Sequence, residues 1–220
     1  MARFVITGAN RGIGLALARA AAARGDQVVA AVRRSSAELK ALGVEVHTGV
    51  DVGDDASVAA FAKAIAGKPV DVLVNNAAIH HSDSLAAMDF ARLRDQFEVN
   101  SLGPIRMTRA LLPNLGKGAK VAIITSRSGS IGDNGSGGNY GYRMSKAAVN
   151  MAGVNLALEL KPKGIAVALL HPGMVATDMG SSPAAIPPAL SAERLLARID
   201  ALTLATTGKF LHAEGHELPW

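Results

Sequence analysis

Two side chains four residues apart carry the clearest chemistry in this sequence: Tyr142 and Lys146, in the run Tyr142-Arg143-Met144-Ser145-Lys146. On a helix, positions i and i+4 share a face, so the phenol and the ammonium project together. A free phenol titrates near about 10 and exchanges protons poorly at neutral pH. A fixed ammonium favours the phenolate, which predicts a lowered value and a proton donor usable near neutrality. Tyr140, the other tyrosine, has Met144 as its i+4 neighbour and no such partner. A Tyr-x-x-x-Lys pair is also common among exposed surface residues, so the surrounding sequence has to decide.

A second constellation opens the chain. The apolar run 3–7 ends in Thr7-Gly8-Ala9-Asn10-Arg11-Gly12-Ile13-Gly14, followed by a stretch of helical period. Glycine permits a tight turn and close approach of backbone to a pyrophosphate, and a helix N-terminus offers free N–H groups and a positive dipole end. Gly8, Asn10, Arg11, Gly12, Ile13 and Gly14 are therefore candidate phosphate contacts, spaced G-x-x-x-G-x-G. The end of the next strand sets cofactor choice, because an acid there would hold the ribose hydroxyls of NAD. This sequence has Val32 followed by Arg33 and Arg34, while Asp26 lies before the strand in a loop. Guanidinium matches phosphate geometry, so Arg33, helped by Arg11 or Arg34, predicts NADP(H) over NAD(H). The competing account of Arg33-Arg34 is a solvated loop pair. Further along, Asp51-Val52 offers a carboxylate to an adenine amino group. Asn75-Asn76-Ala77-Ala78 offers small residues that let backbone lie flat against a nucleotide, though either segment alone also reads as a polar turn.

These residues need a scaffold that brings strand ends together. Short apolar runs at 3–7, 27–32, 44–48, 70–75, 120–125, 165–170 and 209–211 alternate with helical patterns at 14–24, 56–66, 91–115, 145–160 and 191–202. Strands apolar throughout imply cover on both faces, hence a parallel sheet with crossover helices. The expected fold is one α/β domain over residues 1–220, a doubly wound parallel sheet of about seven strands. The Ser- and Gly-rich stretch 126–139 follows a central strand, which places it at a ligand-facing end.

Composition excludes several classes. The chain has 220 residues and no cysteine, which removes disulfides, thiolate metal sites and a cysteine nucleophile. That composition suits a reducing cytoplasm. The net charge of +5 is scattered and aromatic residues make up only 4%, so a nucleic-acid surface is not expected and a small anionic ligand is. No apolar run reaches signal-peptide or membrane-spanning length. The six histidines are scattered in sequence, so no metal site is expected.

Taken together, Thr7–Gly14, Asn75–Ala77, Asn100, Ser126, Tyr142 with Lys146, and Pro172-Gly173 occur in the order found in short-chain dehydrogenases/reductases. The chain resembles that Rossmann-like family over essentially its whole length. Ser126-Arg127-Ser128-Gly129-Ser130 and the ending Glu217-Leu218-Pro219-Trp220 look most like its C-factor and small carbonyl-reductase-like branch. The resemblance implies Tyr142 as proton donor, Lys146 as its tuner and ribose anchor, Ser126 as holder of the substrate oxygen, and Asn100 as holder of a water that feeds protons to Lys146. It also assigns Pro172, Gly173, Val175 and Thr177 to the cofactor, with Thr177 at the nicotinamide amide.

The same resemblance implies a carbonyl/alcohol substrate, a homodimer or tetramer, and, as the rival reading, a signalling protein that binds nucleotide without needing turnover. Helix faces in 91–115 and 145–160, with Ala147, Ala148, Met151 and Ala152, are the expected dimer contacts. Three departures stand out. Ser126 lies sixteen residues before Tyr142 where about a dozen is usual, so Ser128 and Ser130 compete with it. Ala78 replaces a usual glycine. The segment 174–190 makes a short lid, leaving the substrate open.

Overall fold

The computed structural model describes residues 1–180 and 182–220. In chain order the elements are β1 (Arg3–Thr7), α1 (Gly12–Ala23), β2 (Gln27–Ala31), α2 (Ala37–Lys40), β3 (Glu45–His47), α3 (Asp55–Ala64), β4 (Val72–Asn75), α4 (Phe90–Phe97), α5 (Gly103–Leu111), β5 (Lys120–Ile124), α6 (Tyr140–Leu160), β6 (Ala166–His171), α7 (Pro188–Ala201) and β7 (Phe210–His212). The strands form one sheet in the order β3-β2-β1-β4-β5-β6-β7, with every pairing parallel. Successive strand residues point to opposite faces. Phe4 and Ile6 therefore pack with Leu17 and Leu195 on one side, while Val5 packs with Phe61, Met107 and Val149 on the other. Burial on both faces is what made these runs continuously apolar.

Strand order reverses direction between β1 and β4, and a ligand crevice opens at such a switch point beyond the carboxyl ends of the strands. Thr7, Asn75 and the segment after Ile124 all end there.

The helical stretch expected over 91–115 is interrupted. Its first part, α4, starts where the Asp89 carboxylate accepts from the Ala91 N–H at 2.9 Å. A π-helical turn, Glu98–Leu102, then separates α4 from α5, and a 3-10 turn closes at Leu112–Asn114. The wide turn aims two polar side chains at α6: Asn100 Nδ2 donates to Ser145 Oγ at 3.0 Å, and Ser101 Oγ donates to the Ser145 carbonyl at 2.8 Å. Gly103 closes the turn because a Cβ there would meet Val52 Cγ2 at 2.9 Å. The start of α6 also differs, at Tyr140 rather than Ser145. Asn139 adopts φ 47°, the one positive-φ residue other than glycine among the described residues, and lets the chain enter the helix early. The short α2 was not expected; it forms because Ser36 Oγ accepts from the Leu39 N–H at 3.1 Å.

Candidate active site

Thr7, the last residue of β1, is buried, and its Oγ1 accepts from the Asn76 and Ala77 N–H groups at 2.9 and 3.0 Å. Asn76 Nδ2 donates back to the Thr7 carbonyl at 3.0 Å. The glycine loop is thus stapled to the end of β4. It packs tightly enough that a Cβ on Gly14 would stand 2.4 Å from the Gly8 carbonyl oxygen and 2.5 Å from Asn76 Nδ2. Glycine is required there by space. At Gly8 and Gly12, φ values of 67° and 55° require it by conformation as well. The N-terminus of α1 has no side-chain cap and no acid in its first turn. Its free N–H groups therefore suit an anion such as a pyrophosphate.

The loop roofs a cleft of about 1160 Å³ that runs along the strand ends. Gly8, Asn10, Arg11, Gly12, Ile13, Gly14, Arg33, Asp51, Val52, Asn76, Ala77, Tyr142, Lys146, Pro172 and Thr177 all line it. Ser36, Ile79, Thr125 and Met179, which sequence reasoning did not single out, line it too. At one end Val32 is buried and Arg33 projects, its guanidinium largely exposed and 4.0 Å from the Asp51 carboxylate. Arg11 instead pairs with Asp178 at 2.7 Å across the mouth. Val32, not an acid, stands at the end of β2, and the glycine loop with the uncapped start of α1 fits the pyrophosphate of a nicotinamide dinucleotide.

At the other end α6 delivers Tyr142 and Lys146 one helical turn apart, as the i, i+4 spacing requires. Lys146 is buried and its Nζ donates to the Ile124 carbonyl at 3.0 Å. Burial pushes its ammonium down to about 8. Tyr142 departs from expectation. Burial raises the phenol above its ordinary value, and the facing Ser126 hydroxyl only partly offsets this. The ammonium lies 5.7 Å from the ring centre and spends a hydrogen bond on backbone, so it does not dominate the phenol.

Ser126 begins the turn after β5, where its Oγ accepts from the Ser128 N–H at 3.1 Å. It reaches Tyr142, whereas Ser130 is buried and its Oγ accepts from the Asp133 N–H at 3.1 Å. Gly129 sets this loop against α6, since a Cβ there would meet the Lys146 carbonyl carbon at 2.6 Å.

Four expected positions sit outside the cleft wall. Ser126 stands beside Tyr142 at its edge. Asn100 is buried, with its amide committed to the Ile79 N–H and carbonyl, each at 2.8 Å, so its side chain holds the floor segment in place. Gly173, at φ 86°, and the buried Val175 support the wall: Gly173 lies against Ile186 and His212, and Val175 bridges to Ile186. Two contacts were invisible in sequence. His80 meets the Tyr142 ring edge-on at 4.8 Å, and the Asp83 carboxylate accepts from the Tyr140 and Gly141 N–H groups at the start of α6.

The histidines also converge more than their sequence scatter suggested. Register places His171 of β6 beside His212 of β7, and His216 stacks on His212. Burial, reinforced by neighbouring cations, holds His171 down to about 3. Among the described residues, no helix is long and apolar enough to cross a membrane.

A family model described as short chain dehydrogenase matches residues 3–185. The chain is 42% identical over 226 residues, covering 100% of both proteins, to the 1-hydroxy-2-glutathionyl-2-methyl-3-butene dehydrogenase of Rhodococcus sp. (strain AD45). It is 45% identical over 164 residues, 73% of this chain and 99% of the relative, to the C-signal of Myxococcus xanthus. The NADPH-bound carbonyl reductase from chicken fatty liver superposes with a TM-score of 0.91 at 27% identity, covering 100% of this chain and 99% of that one. With the family model running from the first strand past the Tyr142–Lys146 helix and a relative matched end to end, this chain belongs to the short-chain dehydrogenase family.

Proposed function

We propose that this chain is an NADP(H)-dependent oxidoreductase interconverting a carbonyl and an alcohol, of the carbonyl-reductase type. The observation that carries the reading is the convergence of Tyr142, Lys146 and Ser126 at one end of a cleft whose other end presents Arg33, with Val32 rather than an acid at the end of β2. Gly8 to Gly14, Asp51, Val52, Asn76 and Ala77 hold the nucleotide, and Thr177 and Pro172 close over its far end. The nicotinamide, when bound, supplies or accepts the hydride. Tyr142 gives its proton to the carbonyl oxygen during reduction and takes it back during oxidation. Ser126 holds that oxygen, a kind of donor whose removal costs roughly 10²–10³ in rate. Lys146 keeps N–H groups beyond the one given to Ile124, and these reach the ribose. Asn100 acts by fixing Ile79 and α6. A homodimer in a cytoplasmic setting completes the reading.

A second reading rests on the Myxococcus relative: a signalling protein in which nucleotide binding matters more than turnover. One experiment separates the two. NADPH oxidation is followed against aldehydes and ketones, and NADP reduction against alcohols. The Rhodococcus relative is named for a hydroxylated, glutathionyl-bearing butene, so alcohols beside a thioether belong in that panel. Tyr142→Phe is expected to lose on the order of 10²–10⁴ in turnover while NADPH binding persists. Near-normal turnover in that variant, or no turnover of any panel member by the wild type, overturns the enzymatic reading.

A further inference from the structure

The C-terminal turn brings together donors that lie behind Gly173, outside the lining of the cleft. His212 ends β7, and Gly215, at φ 106°, turns the chain back so that its N–H donates to the His212 carbonyl at 2.8 Å. The His212 N–H in turn donates to the His216 carbonyl at 2.9 Å. This returns His216 to lie over His212, with ring centres 4.7 Å apart and planes within 13°. Glu214 sits at the tip. One of its oxygens pairs with Arg194 at 2.6 Å, and the other lies 3.7 Å from His212 Nδ1. One ligating atom from each of His212, Glu214 and His216 lies within 4.8 Å of the other two.

We propose that His212, Glu214 and His216 bind a divalent transition-metal ion of the zinc class and that the ion clamps the C-terminal turn to the edge of the sheet. Tetrahedral zinc takes nitrogen and carboxylate ligands at about 2.0–2.2 Å, so the three donor atoms must close to about 3.5 Å from one another. Glu214 and His216 are exposed and free to move towards that spacing, and an ion on His212 Nδ1 would displace the Glu214 N–H that this nitrogen accepts at 3.1 Å. His212 is the anchor, held edge-on by the His171 ring at 5.0 Å. Two imidazoles and one carboxylate select zinc, copper, nickel or cobalt rather than calcium or magnesium, which prefer all-oxygen sites. The Arg194 pair orients the carboxylate from behind, as outer partners of metal ligands do. The fourth position belongs to water, because two of the three ligands face solvent.

The clamp adds to a segment already held by the buried Ala213 and Leu218, whose N–H groups donate to the His171 and Phe210 carbonyls at 2.8 and 2.9 Å. β7 has three residues at the sheet edge, and beyond it Trp220 packs on Phe210 while its carbonyl accepts from the Gly132 N–H at 2.7 Å. The turn therefore anchors the same loop that carries Ser126.

The test uses the full chain without an affinity tag. Calorimetric titration with zinc chloride is expected to give one ion per chain in the wild type. His216→Ala and Glu214→Gln, both at exposed positions, should each weaken binding at least tenfold, while His47→Ala should leave it unchanged. Zinc should raise the thermal midpoint of the wild type and not that of His216→Ala. Absence of saturable binding in the wild type, or equal binding by wild type and His216→Ala, overturns the proposal.

Discussion

Lys146 donates to the backbone carbonyl of Ile124 at 3.0 Å, a buried charge tied to the last residue of β5. Desolvation of that charge has a thermodynamic signature. Its folded value is about 8 against an ordinary 10.5, so between those pH values the unfolded chain binds more protons and stability rises with pH. Below 8 the full penalty applies, roughly 2–4 kcal/mol from a shift of that size. Lys146→Met removes the penalty and gives up one hydrogen bond, so it should stabilise the fold at pH 7 by about 1–3 kcal/mol. That gain should shrink towards pH 10. Urea unfolding of wild type and variant at both pH values measures it, and a gain independent of pH contradicts the assignment.

Much of this arrangement was readable before the fold was known. Seven strands appear where continuous apolar runs predicted them, because burial on both faces leaves an unmistakable signature in residues such as Val28 to Ala31. The glycine loop and the Tyr142–Lys146 pair are local, so their spacing survives translation into structure. What escaped was non-local. The break at Asn100 depends on Ile79 and Ser145, and the cap on α6 comes from Asp83, 57 residues before Tyr140. The phenol's raised value was missed for the same reason: spacing reveals the ammonium but not the burial that outweighs it.

Asp83 offers a separable test of positioning. Its carboxylate accepts from Gly141 N–H at 2.9 Å and sits at the positive end of the helix that carries Tyr142. Asp83→Ala should cost about 0.5–2 kcal/mol of stability, the usual value of an N-terminal cap. It should also lower kcat more than it raises the KM for NADPH, because the nucleotide loop is untouched. Asp83→Asn keeps an acceptor and should recover most of the rate. Equal kcat in wild type and Asp83→Ala would show that the cap does not position the phenol.

Association is the next expectation. Met144, Met151 and Leu158 are 47%, 64% and 68% exposed and recur every seven residues, which places them on one stripe of α6. Ala147, Ala148 and Ala152 are half-buried beside it. An apolar stripe on a long helix is well suited to a second copy of itself across a two-fold axis. Light scattering at micromolar concentration should report a dimer or tetramer. Met151→Glu combined with Leu158→Glu should reduce the mass, and a monomeric wild type refutes the expectation.

The proposed preference for NADPH turns on Arg33. Val32 is buried at the end of β2, where an acid would grip the ribose 2′-hydroxyl, and the Arg33 side chain stands 64% exposed at the mouth of the same cleft. Its only ion-pair partner among the described residues is Asp51, at 4.0 Å and itself 43% exposed, an interaction worth about 0–1 kcal/mol and readily given up. A 2′-phosphate brings nearly two negative charges, and a charge-assisted contact to guanidinium contributes on the order of 1.5–3 kcal/mol. Each 1.4 kcal/mol is tenfold in affinity, which implies roughly tenfold to hundredfold preference for NADPH. Arg33→Ala should erase most of that preference by weakening NADPH alone, and added salt should narrow the wild-type gap because the contact faces solvent. The measurement is kcat/KM for NADPH and NADH with one fixed carbonyl substrate, in wild type and variant, at low and high ionic strength. A wild type that favours NADH, or a variant that loses both cofactors equally, makes Arg33 a solvated loop residue and leaves the preference without its cause.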